Sequence, residues 1–315
     1  MDDRIARRAD RIAEAVRRGE PAALGRALSL VEGGGALGNA LSARFRDSAG
    51  SARLVGVTGP PGSGKSTLVD ALIGEWRSRD KRVAVLAVDP VSPRTGGAVL
   101  GDRTRMGERS LDDDVFIRSV SARGHLGGLC AAARGMVTAM EAAGWDLIVL
   151  ETVGAGQSET EVAEIADCTL VVSAPGLGDE LQAIKAGILE IGNILVVNKC
   201  DRPGAGETAR DLSAMLKLRQ GEAAQVPVVQ VSATTGEGIG ALAAEIDIRL
   251  AATRRGPPDT VPARPSPDFG GYVCAGLPDT EDPALAALFR RAASDPELAQ
   301  RLLELAGSQK NPSGR

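Results

Sequence analysis

Aromatic side chains are scarce, at 2% of 315 residues. A core of the size this length allows must therefore be built from Val, Leu, Ile and Ala, and the 43% hydrophobic content can supply it. Histidine occurs once, as His125, too few for a His-rich metal centre. Cys130, Cys168, Cys200 and Cys274 lie far apart with no C-x-x-C pair, which reads as reduced, mostly buried thiols. No apolar run approaches the roughly 20 residues that cross a bilayer. Met1-Asp2-Asp3-Arg4 opens with no apolar stretch of a secretory signal, so a cytoplasmic protein without a membrane partner is expected. A net charge of −4 argues against nucleic acid as the main partner. The one basic run, Arg4, Arg7, Arg8 and Arg11, is interspersed with acidic residues and reads as a solvated helix face.

What the chain does have is alternation. Apolar runs at 53–57, 82–88, 115–120, 147–152, 169–174, 194–198 and 227–232 read as buried strands. Helical spacing fits between most of them, at 126–143, 180–191, 206–219 and 238–253. The pattern predicts an α/β fold: a mostly parallel central sheet flanked by helices. Three segments are expected: a helical N-terminal extension over 1–50, a nucleotide-binding domain over 51–255, and a Pro-rich linker with short helices over 256–315. In the first, a helix–turn–helix breaks near Gly19-Glu20-Pro21, and Gly33-Gly34-Gly35 interrupts the pattern. In the last, Asp282-Pro283 and Asp295-Pro296 each resemble a helix start.

The stretch Gly59-Pro60-Pro61-Gly62-Ser63-Gly64-Lys65-Ser66, then Thr67, matches G-x-x-x-x-G-K-S/T. It follows a strand candidate and precedes a helical pattern, the context phosphate binding requires. Its glycines let backbone N–H groups close around a phosphate, and the helix N-terminus adds partial positive charge. Lys65 is expected on the β- and γ-phosphates and Ser66 on Mg²⁺.

Asn198-Lys199-Cys200-Asp201 ends another strand candidate and has the N-K-x-D spacing of guanine recognition. A carboxylate at Asp201 can accept from both N1–H and the 2-amino group of guanine, and adenine offers neither donor there. Asn198 is expected to brace neighbouring loops and the Lys199 stem to lie along the base. Ser232-Ala233-Thr234 follows a further strand and would meet guanine O6 through its backbone. Three such elements at strand ends, in order, point to GTP, since ligands of open α/β sheets bind at that edge.

Asp89 and Glu151 also sit at strand ends, where acidic residues can hold the water shell of Mg²⁺. Gly154 offers a bare N–H to the γ-phosphate. The polar, glycine-rich stretch Arg94–Arg105 reads as a switch around γ-phosphate and Mg²⁺. Asp89 and Asp102 are candidates for orienting the attacking water. Arg94, Arg103 and Arg105 read equally well as surface residues or phosphate contacts, and Arg105 joins Lys65, Asp89 and Asp102 in the candidate catalytic set.

Together with Val88-Asp89-Pro90, Arg94-Thr95-Gly96-Gly97, Leu100-Gly101-Asp102-Arg103-Thr104-Arg105-Met106 and Glu151-Thr152-Val153-Gly154-Ala155-Gly156-Gln157-Ser158-Glu159, the phosphate-binding stretch resembles the MeaB/ArgK family. These are P-loop GTPases of the signal-recognition-particle-like class and chaperones of adenosylcobalamin-dependent acyl-CoA mutases. The resemblance runs from about residue 10 to 254. It implies that Ser66, Asp89, Asp102 and Glu151 share the Mg²⁺ environment. It also implies that Gly176–Lys185 forms a further switch facing a mutase, with Gln182 and Lys185 as its polar residues.

The expected function is a slow, Mg²⁺-dependent GTPase, cycling between GTP and GDP, that gates cobalamin delivery to an acyl-CoA mutase or protects that enzyme. The client could be methylmalonyl-CoA mutase or a related isobutyryl- or hydroxyisobutyryl-CoA mutase. Family members usually end in a long apolar helical arm used for dimerisation. This chain ends differently, so a homodimer stays open. Two alternatives also stay open: a kinase passing the γ-phosphate to a protein or small molecule, and a nickel-insertion GTPase.

Overall fold

The computed structural model describes residues 3–89, 112–121, 128–152, 158–177, 191–217 and 226–253, and all of them fall within one compact unit, Met1–Pro258. Asp89, Ser121, residues 128–132 and 158–161 are described by their backbone alone. The aliphatic runs form seven strands: β1 (Arg53–Thr58), β2 (Val83–Asp89), β3 (Val115–Ser121), β4 (Leu147–Thr152), β5 (Cys168–Ser173), β6 (Ile194–Val197) and β7 (Val228–Gln230). They pair in the order β3-β2-β4-β1-β5-β6-β7, and each pairing is parallel. Parallel strands need crossovers, and helices supply them. Both faces of the sheet are therefore covered, and every residue of β4 and β5 is buried.

Side-chain alternation divides the strands between two cores. On β2, Ala84, Leu86 and Val88 face one side, while Val83 and Val85 face the other. The first side is covered by α1 (Asp3–Arg17), α2 (Pro21–Gly33), α3 (Gly35–Phe45) and α5 (Gly128–Ala142). The second is covered by α4 (Lys65–Arg77) and α8 (Ile239–Ala252). On α4, Leu68, Val69, Leu72, Ile73 and Trp76 form a buried helical stripe. Truncating one such leucine to alanine costs about 2–5 kcal/mol. The helix α6 (Ser158–Ile165) adds Val162 and Ile165 to the first core. A smaller cluster joins α7 (Ala205–Lys217) to Val171, Leu195 and Val197.

The N-terminal segment goes beyond the expected helix–turn–helix. Gly34 and Gly35, with φ of 69° and 77°, end α2 and let the chain restart as a third helix, α3. All three helices share a single core with the sheet rather than forming one of their own. The helix expected over 180–191 lies almost wholly outside the described residues, as does everything expected beyond residue 253. Because the sheet is parallel, the ends of β1, β4, β6 and β7 all open onto one edge, and the described candidate residues lie there.

Candidate functional site

The loop after β1 is shaped by glycines at two points of contact. Gly59 has φ of 139°, and a Cβ there would stand 2.1 Å from the Val172 carbonyl oxygen on β5. Gly64 has φ of 89°, and a Cβ there would stand 2.5 Å from Asn198 Nδ2. Only glycine fits either conformation in that space. Gly64 is also the residue before α4, which starts without a side-chain cap. The first N–H groups of α4 thus face the loop with no side-chain acceptor, as phosphate binding at a helix start requires.

Lys65 is buried, and its Nζ donates to the carbonyls of Gly59 at 2.7 Å and Pro60 at 3.0 Å. The next side chain, Ser66, donates its hydroxyl to Glu151 Oε1 at 2.7 Å. Glu151, near the end of β4, is only 3% exposed. One residue on, buried Thr152 lies 3.2 Å from Thr58, hydroxyl to hydroxyl, tying the end of β4 to the end of β1. Gly62 and Thr67 are exposed, while Ser63 is fully buried.

Asn198 joins three loops. Its Nδ2 donates to the carbonyls of Ser63 at 2.9 Å and Gly64 at 3.3 Å. Its Oδ1 accepts from the N–H groups of Lys199 at 2.8 Å and Ala233 at 3.1 Å. Bracing is thus what the side chain does. Lys199 adopts φ of 59°, rare outside glycine, and its Nζ reaches back to the Gly62 carbonyl at 2.6 Å. The ammonium therefore crosses the mouth of the glycine-rich loop. A contact from Ala233 N–H to guanine O6 would have to be shared with Asn198 Oδ1.

A hydrogen bond from the Ser232 hydroxyl holds the Asp201 carboxyl below its ordinary range. Ser232 is fully buried, lies 3.2 Å from the Thr234 hydroxyl, and accepts from Thr235 N–H at 3.4 Å. Sequence reasoning assigned this loop only backbone contacts and missed the serine side chain. The signal available was a hydroxyl at the end of a strand, which alone does not say which carboxylate it meets. Burial raises the Cys200 thiol, between Lys199 and Asp201, above its ordinary value.

One edge of the sheet thus brings together Gly59, Gly62, Ser63, Gly64, Lys65, Ser66, Glu151, Asn198, Lys199, Asp201, Ser232, Ala233 and Thr234. The Asp89 backbone ends β2, beside β4, while its side chain lies outside the described residues, as do Asp102, Arg105, Gly154 and the stretch Arg94–Arg105. Among the described residues, no helix is long and apolar enough to cross a membrane.

The family model described as methylmalonyl Co-A mutase-associated GTPase MeaB matches residues 24–256. The chain belongs to this family. A Pyrococcus horikoshii protein named as a GTPase is 44% identical over 234 residues, 73% of this chain and 74% of its own length. The mitochondrial methylmalonic aciduria type A homolog of Caenorhabditis elegans is 44% identical over 169 residues, 53% of this chain and 40% of that protein. A solved structure described as an LAO/AO transport system kinase aligns with a TM-score of 0.61 and 27% identity, covering 99% of this chain and 95% of that one. The MeaB-family chain is a GTPase: it binds guanine nucleotide and hydrolyses GTP.

Proposed function

We propose that this MeaB-family GTPase is the GTP-driven switch of a cobalamin-dependent acyl-CoA mutase, gating adenosylcobalamin delivery and protecting or reactivating the enzyme. The observation that carries the reading is the bracing by Asn198, which couples the phosphate loop to the guanine-recognition loops in one hydrogen-bonded unit. Support for the partner comes from the family, described as mutase-associated, and from the relative named for methylmalonic aciduria.

In this proposal the loop N–H groups and Lys65 hold the β- and γ-phosphates, and Asp201 selects guanine. Phosphoryl transfer depends on positioning and charge stabilisation more than on covalent chemistry. The hydroxyl–carboxylate pair of Ser66 and Glu151 suits Mg²⁺, a hard cation that takes oxygen donors and keeps several waters. Ser66, Glu151, Asp89 and Asp102 would hold it, and it would neutralise charge on the phosphates. Asp89 or Asp102 would orient the attacking water, and Arg105 would face the phosphates. Gly154 would sense the γ-phosphate. Residues 1–50 serve as a helical extension, 51–255 as the nucleotide domain, and 256–315 as a linker and interaction segment open to self-association.

The test is GTP turnover, with ATP in parallel, without and with a stoichiometric cobalamin mutase. The expected result is slow GTP-specific turnover that rises when the mutase is added. A completed arrangement of charge-stabilising groups can contribute about 10³–10⁵-fold. Turnover indifferent to the mutase would remove the coupling for that client. Labelled γ-phosphate recovered on anything but water would favour a kinase.

A further inference from the structure

The basic run at the N-terminus divides in the structure. Arg7 pairs with Asp3, and Arg4 is engaged as well. Arg17 donates to the Arg44 carbonyl at 2.6 Å, and Arg18 pairs with Glu20 at 2.8 Å. Arg44 in turn pairs with Asp10 at 2.8 Å. Three arginines of this region, Arg8, Arg11 and Arg26, have no hydrogen-bond or ion-pair partner among the described residues. These three line a single groove of about 420 Å³ between α1 and α2.

The helical repeat explains the convergence. Arg8, Arg11 and Ala15 fall on one stripe of α1, three and then four residues apart. Ala22, Ala23 and Arg26 form the facing stripe of α2. The floor, made by Ile12, Ala15, Ala22 and Ala23, is apolar and mostly alanine, while the rim carries the three arginines. Glu20 also lines the groove, but its carboxylate is taken by Arg18. Nothing in the nucleotide reading uses this place, which lies on the N-terminal helices rather than at the sheet edge.

We propose that the groove is a docking surface for an acidic segment of a protein partner. Guanidinium groups bind carboxylates in a bidentate, planar fashion and are weakly hydrated, so arginine is well suited to charged contacts at interfaces. Three guanidiniums without a partner among the described residues, on a chain of net charge −4, form a local patch of opposite sign to the molecule as a whole. The apolar floor favours a peptide over a small anion. Side chains of a docked segment cover Ala15, Ala22 and Ala23 while its carboxylates meet the rim.

The test is fluorescence anisotropy of a labelled helical Glu/Ala peptide with the full chain, against a Gln/Ala peptide of the same length. Binding to the acidic peptide alone is expected, weakening as salt rises. The Arg8→Gln/Arg11→Gln/Arg26→Gln variant should lose about tenfold or more in affinity, since charge-assisted pairs are the strong ones. A control that removes three charges elsewhere, Lys81→Gln/Arg210→Gln/Lys217→Gln, should bind like the wild type. Unchanged GTP turnover and melting temperature would show that both variants are folded. Equal binding of the two peptides, equal loss in both variants, or capture of inorganic phosphate in place of the peptide would each overturn the proposal.

Discussion

Asn198 Nδ2 donates to the Ser63 carbonyl at 2.9 Å across 135 residues of chain. The bond is buried, and it links a loop at the end of β6 to the loop after β1, two strands away in the sheet. With Oδ1 accepting from Ala233 N–H, one carboxamide sets the spacing between the glycine-rich loop after β1 and the loop that carries Ala233.

Replacing that carboxamide removes a donor and an acceptor at once. Asn198→Ala leaves the Ser63 carbonyl and the Ala233 N–H without this partner, at about 1–3 kcal/mol for each group that stays buried and unpaired. The expected outcome is a lower melting temperature of the nucleotide-free protein together with at least tenfold weaker GTP binding. Calorimetry of both quantities checks it. Weaker binding with an unchanged melting temperature would mean that the bracing forms only around nucleotide.

Ser66 and Glu151 form the second such pair, at 2.7 Å. Glu151→Gln keeps the size of the side chain and removes its charge. If the pair belongs to the Mg²⁺ environment, half-maximal GTP turnover should require about tenfold more Mg²⁺, with little change in guanine affinity measured without metal. An unshifted Mg²⁺ titration would place the metal elsewhere.

Much of this architecture was legible in the sequence because it is periodic. The runs at 82–88, 115–120 and 147–152 became β2, β3 and β4 within a residue or so, since a strand buried on both faces is a short aliphatic run bounded by breakers. Motif spacing placed Lys65, Ser66, Glu151 and Asn198 at one sheet edge for the same reason: parallel strands end together. The third N-terminal helix was harder to see, because a glycine triplet marks a break and leaves open whether a helix, a strand or a loop comes after it. Ser232 was harder still. Its bond to Asp201 depends on two loops meeting in space, and no periodicity encodes that.

The close packing of α2, α3 and α5 makes a sharp contrast between two glycines. A Cβ on Gly38 would stand 2.4 Å from the Leu30 carbonyl oxygen, a backbone atom of α2. One on Gly135 would meet Val31 Cγ1 at 2.8 Å, a side chain with some freedom to shift. Gly38→Ala should therefore destabilise more than Gly135→Ala, by about 1–3 kcal/mol of overpacking. Denaturant melts of the two variants decide the order, and equal midpoints would contradict it.

Burial pushes the Cys168 thiol up to about 12, while unfolding returns it toward 9.0. Above pH 9 the unfolded chain loses this proton and the folded chain keeps it, so stability falls as pH rises from 9 toward 12. Cys168→Ala should flatten that part of the profile. Alkylation mapped by mass spectrometry should spare Cys168 in the folded protein at about pH 8 and label it only in denaturant.

If Asp201 reads guanine as proposed, its pairing with Ser232 gives that recognition its own pH signature. The serine hydroxyl keeps the carboxyl below its ordinary range, so the acceptor form persists as pH falls, and guanine affinity should stay flat through the pH at which an ordinary aspartate would take up its proton. Ser232→Ala removes the hydrogen bond, raises the carboxyl toward its usual value, and should move the loss of GDP affinity to higher pH. Asp201→Asn supplies the complementary result. A carboxamide replaces one acceptor with a donor, which suits the 2-oxo group of xanthine better than the 2-amino group of guanine. Affinity should pass from GTP to xanthosine triphosphate by more than about tenfold, because a site built to pair polar groups rejects a mismatched one strongly. Retained GTP preference in Asp201→Asn would show that the base is read by other groups, and Ser232→Ala would then leave the pH profile where it was.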